Sequence, residues 1–269
     1  MLTLVLPRLI AFEGSPRRSA AVVERNVVTL RSAYWVVLLT GFLEPVLYLF
    51  SIGVGVGALV GDLTLADGQV VSYAVFVAPA MLASSAMAGA LSETTFNFFG
   101  KMKFMKLYDG MLATPVRPIE IALGELAWAM LRGNIYAAAF LVVMVVMGLT
   151  TAGLAAVAFL CAALVGFAFG GLGMAISTFM RSWQDFDLMS SAQFALFLFS
   201  GTFVPAQTYP PVLRWVVEAT PLYRSVDLVR ATTTGAWTWL QLADVLYLLA
   251  LFAVSLAVAG RRMGRLLCR

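Results

Sequence analysis

Apolar residues in this chain come in long blocks, with neither strict alternation nor a narrow stripe. Six stretches, residues 33–58, 71–91, 121–148, 154–179, 188–204 and 240–259, carry few charges. They are about 17–28 residues long, and at roughly 1.5 Å per residue such runs cross about 30 Å of hydrocarbon. Lipid tolerates only structures that satisfy every backbone group internally, and runs without period-two alternation select helices over a closed barrel. The pattern predicts an all-α, polytopic membrane protein with six transmembrane helices.

Composition agrees and narrows the chemistry. Of the 269 residues 61% are hydrophobic and 12% charged, against about 25% charged in a soluble domain, so this chain could not cover a water-exposed surface. Histidine is absent, which removes imidazole acid–base catalysis, Ser-His-Asp and Cys-His nucleophiles and most zinc or haem sites. Cys161 and Cys268 imply no disulfide framework. No G-x-x-x-x-G-K-[ST] loop occurs, so ATP is not expected to bind here through a P-loop, and neither a metal nor a nucleic-acid site is expected.

Basic residues set the orientation. Fourteen of the 18 Lys and Arg lie in the segment before the first run, in the connections after the second and fourth, and after the sixth. The connection after the first run has Asp62 and Asp67 and no base. By the positive-inside rule both termini are cytoplasmic. Pro7 and Arg8 interrupt the apolar start, which therefore does not read as a cleavable signal peptide. Residues 19–32 mix Val22, Val23, Val27 and Leu30 with Arg25 and Arg31, a spacing that suits an amphipathic helix on the inner surface, with a solvated tail as the alternative.

Two connections are too structured to be simple loops. In 97–120, Phe104, Leu107, Tyr108 and Met111 recur at helical spacing, followed by Thr114-Pro115 and Arg117-Pro118. This predicts a short amphipathic helix, a turn, and a third span starting at Pro118, with Glu120 at its electropositive end. Such a helix could lie on the bilayer or insert into a partner protein. In 204–239, Pro205, Pro210, Pro211 and Pro221 punctuate two short helices. Arg224, Asp227 and Arg230 are placed to pair along one side of the second, opposite Leu222, Val226 and Val229. These helices are expected to dip into the outer leaflet and return against a neighbouring span or an exit path, with Trp215, Trp237 and Trp239 in the interfacial belt. The alternative is an ordinary external loop.

Ionisable groups inside spans are functional candidates. Glu44, followed by Pro45, is the clearest. Glu93, Glu125, Arg132 and Asp244 are the others. Glu93 and Asp244 sit near span ends, where they can reach water, and Glu125 and Arg132 share a face but reach each other poorly. Gly53, Gly57 and Gly61, and Gly166 and Gly170 beside Gly171 and Gly173, form small-residue faces that suit packing within the chain more than a dimer seam.

The motifs Tyr108-Asp109-Gly110-Met111-Leu112-Ala113-Thr114-Pro115, continuing to Leu123-Gly124-Glu125-Leu126, and Ser200-Gly201-Thr202-Phe203-Val204-Pro205, followed by Pro210-Pro211 and Thr220-Pro221-Leu222, carry a family resemblance. With the six-span plan, they resemble the ABC transporter type 2 permeases, closest to the nodulation-type lipo-oligosaccharide and daunorubicin-type exporters. The resemblance implies one permease domain over 1–269, with a cytoplasmic N-terminal segment (1–32), a coupling region (98–120) and an outer re-entrant hairpin (204–239). It implies an exporter in the cytoplasmic membrane that moves a lipid-linked, glycolipid or drug-like substrate. The partners would be a second permease subunit, identical or not, and a separate ATP-binding subunit that holds ATP and Mg. Lys103, Phe104, Leu107, Tyr108, Asp109, Met111, Thr114 and Pro115 would couple to that subunit, and Tyr108→Ala would uncouple it without unfolding the chain. The first, second and fifth spans would line the pathway, with Glu44 and Glu93 as its candidate residues. A different class, an ion-coupled secondary transporter using Glu44 or Glu125, would instead run on a pH gradient.

Overall fold

The computed structural model describes residues 15–30, 43, 46–64 and 68–267. Glu44, residues 33–42 of the expected first span and Cys268 lie outside them. The elements are α1 (Pro16–Leu30), α2 (Val46–Val60), strands β1 (Asp62–Thr64) and β2 (Val70–Ser72), and α3 (Tyr73–Phe104). Then come α4 (Leu107–Leu112), α5 (Pro118–Val146), α6 (Ala152–Ser177), α7 (Asp185–Leu198), α8 (Pro211–Ala219), α9 (Pro221–Thr234) and α10 (Trp239–Leu267).

The protein is mostly helical, and among the described residues α3, α5, α6 and α10 are long and apolar enough to cross a membrane. Two expectations change. The 59–70 connection closes as an antiparallel hairpin with Leu63 opposite Val71, because Val70 and Val71 favour extended backbone and Gly68 takes φ +85° between the strands. The helix of the expected fifth span, 188–204, is shorter than expected: α7 has 14 residues, about 21 Å at 1.5 Å per residue. It ends in a turn where Gly201 has φ +68° and the Ser200 hydroxyl donates to the Phe197 carbonyl.

α6 is the hub, packed by α3, α5, α9 and α10. It carries no charge, and its small residues let those helices come close. A methyl group added at Gly170 would sit 2.9 Å from Leu126 Cδ1 of α5, and one at Gly171 would sit 3.0 Å from Phe252 Cδ2 of α10. At Gly173 it would meet Leu91 and Thr95 of α3 at 3.1 Å. This glycine cluster therefore serves packing within the chain. In the other group, Gly53 and Gly57 face Ala74 and Tyr73, whereas Gly61 leaves the face and takes φ +75° in a turn.

α9 packs on α3, α6 and α10 through Leu222, Val226 and Val229, all buried. The expected ladder within it does not form. Arg224 reaches Asp244 of α10 at 3.1 Å, Asp227 accepts from Gln241 at 3.3 Å, and Arg230 donates to the carbonyls of Phe76 and Gly201. The physical reason is packing: α9 lies against other helices, so its charges find partners there in preference to one another. Asp244, 1% exposed, does not reach out to water.

Replacing Gly173 by Ala should cost about 1–3 kcal/mol by overpacking. Gly153→Ala, where nothing lies within 4 Å, should leave stability unchanged. Thermal melting of the purified chain checks this, and equal melting points for the two variants would contradict the packing account.

Candidate functional site

Two carboxylates on the first turns of α5 gather three other elements. Pro118 starts α5, and the Glu120 carboxylate accepts from the Arg117 N–H at 2.9 Å, capping its own helix. Its other oxygen accepts from the Ser15 N–H at 2.7 Å and lies 3.6 Å from Arg18, whose guanidinium also donates to the Pro115 carbonyl at 2.7 Å. One and a half turns further on, Glu125 meets Arg25 of α1 at 3.0 Å, Lys101 of α3 at 2.6 Å and the Asn26 amide at 3.2 Å. Between them Gly124 lets α1 lie directly on α5, since a methyl there would stand 2.6 Å from Val22 Cβ. The N-terminal amphipathic helix is therefore seated on protein along its Val22–Asn26 face.

α4 covers this knot. Lys106 takes a left-handed φ of 47°, which turns the chain sharply out of α3 and folds α4 back. Tyr108 is wholly buried, its ring 5.2 Å from that of Phe98. Its hydroxyl lies beside Glu125 without meeting hydrogen-bond geometry. Burial, and then the Glu125 charge, push this phenol far above its ordinary pKa. Of the residues expected to couple, Lys103, Phe104, Asp109, Thr114 and Pro115 are exposed, Leu107 and Met111 are half-buried, and Tyr108 points inward. A Tyr108→Ala change would open a cavity and would not cleanly test coupling.

The adjoining connection 178–184 completes this end. Trp183 stacks on Phe104 at 5.0 Å, and Phe186 meets Phe99 at 5.3 Å. Asp185 accepts from the N–H groups of Arg181 (2.7 Å) and Ser182 (3.1 Å), and these bonds, Arg181's first, hold its carboxyl below the usual range. Arg262 of α10 lies 3.7 Å over the Phe179 ring and donates to the Thr178 carbonyl.

A cleft of about 870 Å³ opens beside the knot, walled by α3, α5 and α7 with Tyr48 of α2. Its lining mixes Met81, Met87 and Phe194 with Ser84, Ser85, Ser92, Ser190 and Gln193. Its charged groups are Glu93, Arg132 and Asp187. Glu93 is salt-bridged to Arg132, which also donates to the Tyr136 hydroxyl at 3.3 Å. Sequence reasoning weighed Arg132 against Glu125 on its own helix, and no local signal marked its true partner 39 residues away. Among the hairpin residues, Arg224 and Asp227 tie α9 to α10, while Pro205 starts a short 3-10 turn and Pro210, Pro211 and Pro221 start α8 and α9. The cleft has the mixed apolar and polar wall of a binding pocket, and the knot holds an exposed α4 face rigidly beside it.

The family model described as ABC-2 type transporter matches residues 20–233. Nodulation protein J of Rhizobium leguminosarum bv. trifolii is 33% identical over 264 residues, covering 95% of this chain and 97% of that protein. The same-named protein of Rhizobium leguminosarum bv. viciae is 32% identical, covering 91% and 95%, and that of Rhizobium meliloti (strain 1021) is 31% identical, covering 80% and 81%.

Tyr108→Phe should change stability by less than about 0.5 kcal/mol, since the hydroxyl makes no bond, whereas Tyr108→Ala should cost about 3–5 kcal/mol. Glu125→Ala should free α1 by stranding Arg25 and Lys101, and hydrogen exchange across residues 16–30 reads that release. Undiminished protection there would show that the carboxylate does not hold α1.

Proposed function

Because the chain belongs to the ABC-2 type transporter family, we propose that it is the permease subunit of an ATP-driven exporter in the cytoplasmic membrane, one transmembrane domain over 1–269 with six crossings. Both termini and α4 would face the cytoplasm, and α8–α9 would form the outer re-entrant hairpin. A separate ATP-binding subunit would hold ATP and Mg and receive the exposed Lys103, Phe104, Asp109, Thr114 and Pro115. A second permease subunit would complete the pathway, whose wall here is the α3–α5–α7 cleft. The substrate would be lipid-linked, glycolipid or drug-like, in keeping with a cleft that offers hydroxyls beside methionines and phenylalanines.

The observation that carries this reading is the rigid seating of α4. A lever must not bend, and α4 is fixed by buried Tyr108, by the turn at Lys106, and by α1 clamped through Glu120 and Glu125. Glu125 is engaged by two cations and an amide, which suits a tie better than a proton carrier.

The test is co-purification with an ATP-binding subunit encoded beside this chain, together with that subunit's rate of ATP hydrolysis in proteoliposomes. The wild-type chain should co-elute and alter hydrolysis. Asp109→Arg should weaken association by roughly tenfold or more, the effect of losing ~1.4 kcal/mol, while the chain stays folded. Unaltered association in that variant, or transport driven by a pH gradient without ATP, would contradict the proposal.

A further inference from the structure

One stretch of backbone joins the cleft to α4, and it is the part of α3 that is not α-helical. Glu93–Asn97 and Gly100–Phe104 are π-helical turns. A π-turn inserts an extra residue, and with 3.6 residues per α-helical turn one residue re-phases everything after it by about 100°. The surroundings are shaped to this departure. Thr94 and Thr95 donate their hydroxyls to the carbonyls of Ala90 (2.7 Å) and Leu91 (2.6 Å), bonding the backbone where the ladder changes. Gly173 of α6 leaves the room that both threonines occupy.

Glu93 opens the first π-turn and is bound to Arg132 of α5. The guanidinium lies 5.9 Å from the Tyr136 ring centroid, and its Nε is buried without a partner. Its hold is therefore concentrated on Glu93 and the Tyr136 hydroxyl. Both members of the pair line the cleft. Beyond it, Phe98, Phe99 and Met102 turn inward, Lys101 reaches Glu125 at 2.6 Å, and Lys103 and Phe104 turn outward.

We infer that Glu93 and Arg132 are a positioning pair that sets the rotational phase of α3 beyond Asn97, so that a polar headgroup competing for the pair in the cleft changes how α4 is presented. This rests on the reading of the cleft as pathway and α4 as coupling element. With the pair intact the π-turn is kept. When it parts, relaxation of Glu93–Asn97 to α-helix turns the following set by about 100°, bringing Met102 to the surface and drawing Lys101 off Glu125.

Single cysteines at Met102, Lys103 and, as a buried control on α6, Ala168 test this in the full chain with Cys161→Ala and Cys268→Ser, using a water-soluble maleimide. With the pair intact, position 103 should label quickly and positions 102 and 168 slowly. Arg132→Ala or Glu93→Ala should speed labelling at 102 by roughly tenfold or more, while 168 stays protected. Arg132→Lys, which keeps the charge, should restore most of the protection at 102. Protection at 102 that survives loss of the pair overturns the inference, and so does a joint rise at 102 and 168, which marks loosened packing. These readings need no ATP-binding subunit, so failure of the exporter reading would appear separately, as absence of any effect on that subunit's hydrolysis.

Discussion

Glu125 is the constraint on which this architecture turns. Its carboxylate is 6% exposed and takes a guanidinium from α1, an ammonium from α3 and an amide from α1, while Tyr108 of α4 covers it. A buried ion pair is weak as a source of stability, because desolvation offsets most of the attraction. What it supplies is uniqueness. An apolar contact between α1 and α5 could slide by a turn, whereas a carboxylate with three directed partners fits one register. Glu120 repeats the device about one and a half turns earlier, with the Ser15 N–H before α1 and with Arg18 of α1, which in turn holds the Pro115 carbonyl after α4. Two such points, with Gly124 between them, fix both the position and the angle of α1.

The long-range nature of these ties explains what could be read in the sequence. The starts of α3, α5, α6 and α10 and the ends of α5 and α6 were legible within a few residues because uninterrupted apolar runs and Pro118 are local signals, whereas α3 and α10 run on to Phe104 and Leu267, past the expected ends at 91 and 259, because helix does not stop where hydropathy does. The short helix near Tyr108 was legible from spacing, but its direction was not. Leu107, Tyr108 and Met111 look alike on a wheel, and only the tertiary seat decides that Tyr108 is the one buried. The ion pairs were illegible for the same reason: Arg25 and Glu125 are 100 residues apart, and Arg224 prefers Asp244 to the Asp227 of its own helix. The π-turns left no signal that periodicity could detect, since a single extra residue disappears inside an apolar run. The shortness of α7 was hidden likewise, because Gly201 interrupts a stretch whose hydropathy continues past it.

Polar groups inside the bundle follow one rule: most are spent, on a carbonyl of their own helix, as at Thr94, Ser177 and Thr233, or on joining one element to another. Thr150 donates to the Thr233 carbonyl, Tyr73 to that of Phe203, and Tyr247 to that of Ala219. Each bond ends on a carbonyl in a turn or in the last turn of a helix, where the backbone ladder leaves acceptors free. The cleft departs from this rule. Ser84 is buried with no partner at all, and the serines around it face space and not a neighbouring helix. A wall that keeps unspent hydroxyls beside methionines and phenylalanines has the character of a binding surface.

α3 is the element through which the two ends can communicate, because it is gripped at both. Near its start, Arg230 lies 4.0 Å over the Phe76 ring and donates to the Phe76 carbonyl, while its other nitrogen holds the Gly201 carbonyl in the turn that ends α7. Near its finish, Lys101 is held by Glu125. A displacement of α4 therefore reaches α9 and the end of α7 along a single helix with no intervening loop. An unbroken α-helix would transmit it as rigid rotation and translation alike. The π-turns at Glu93–Asn97 and Gly100–Phe104 stand between these two grips, at the one part of α3 whose hydrogen-bond ladder departs from the α-helix.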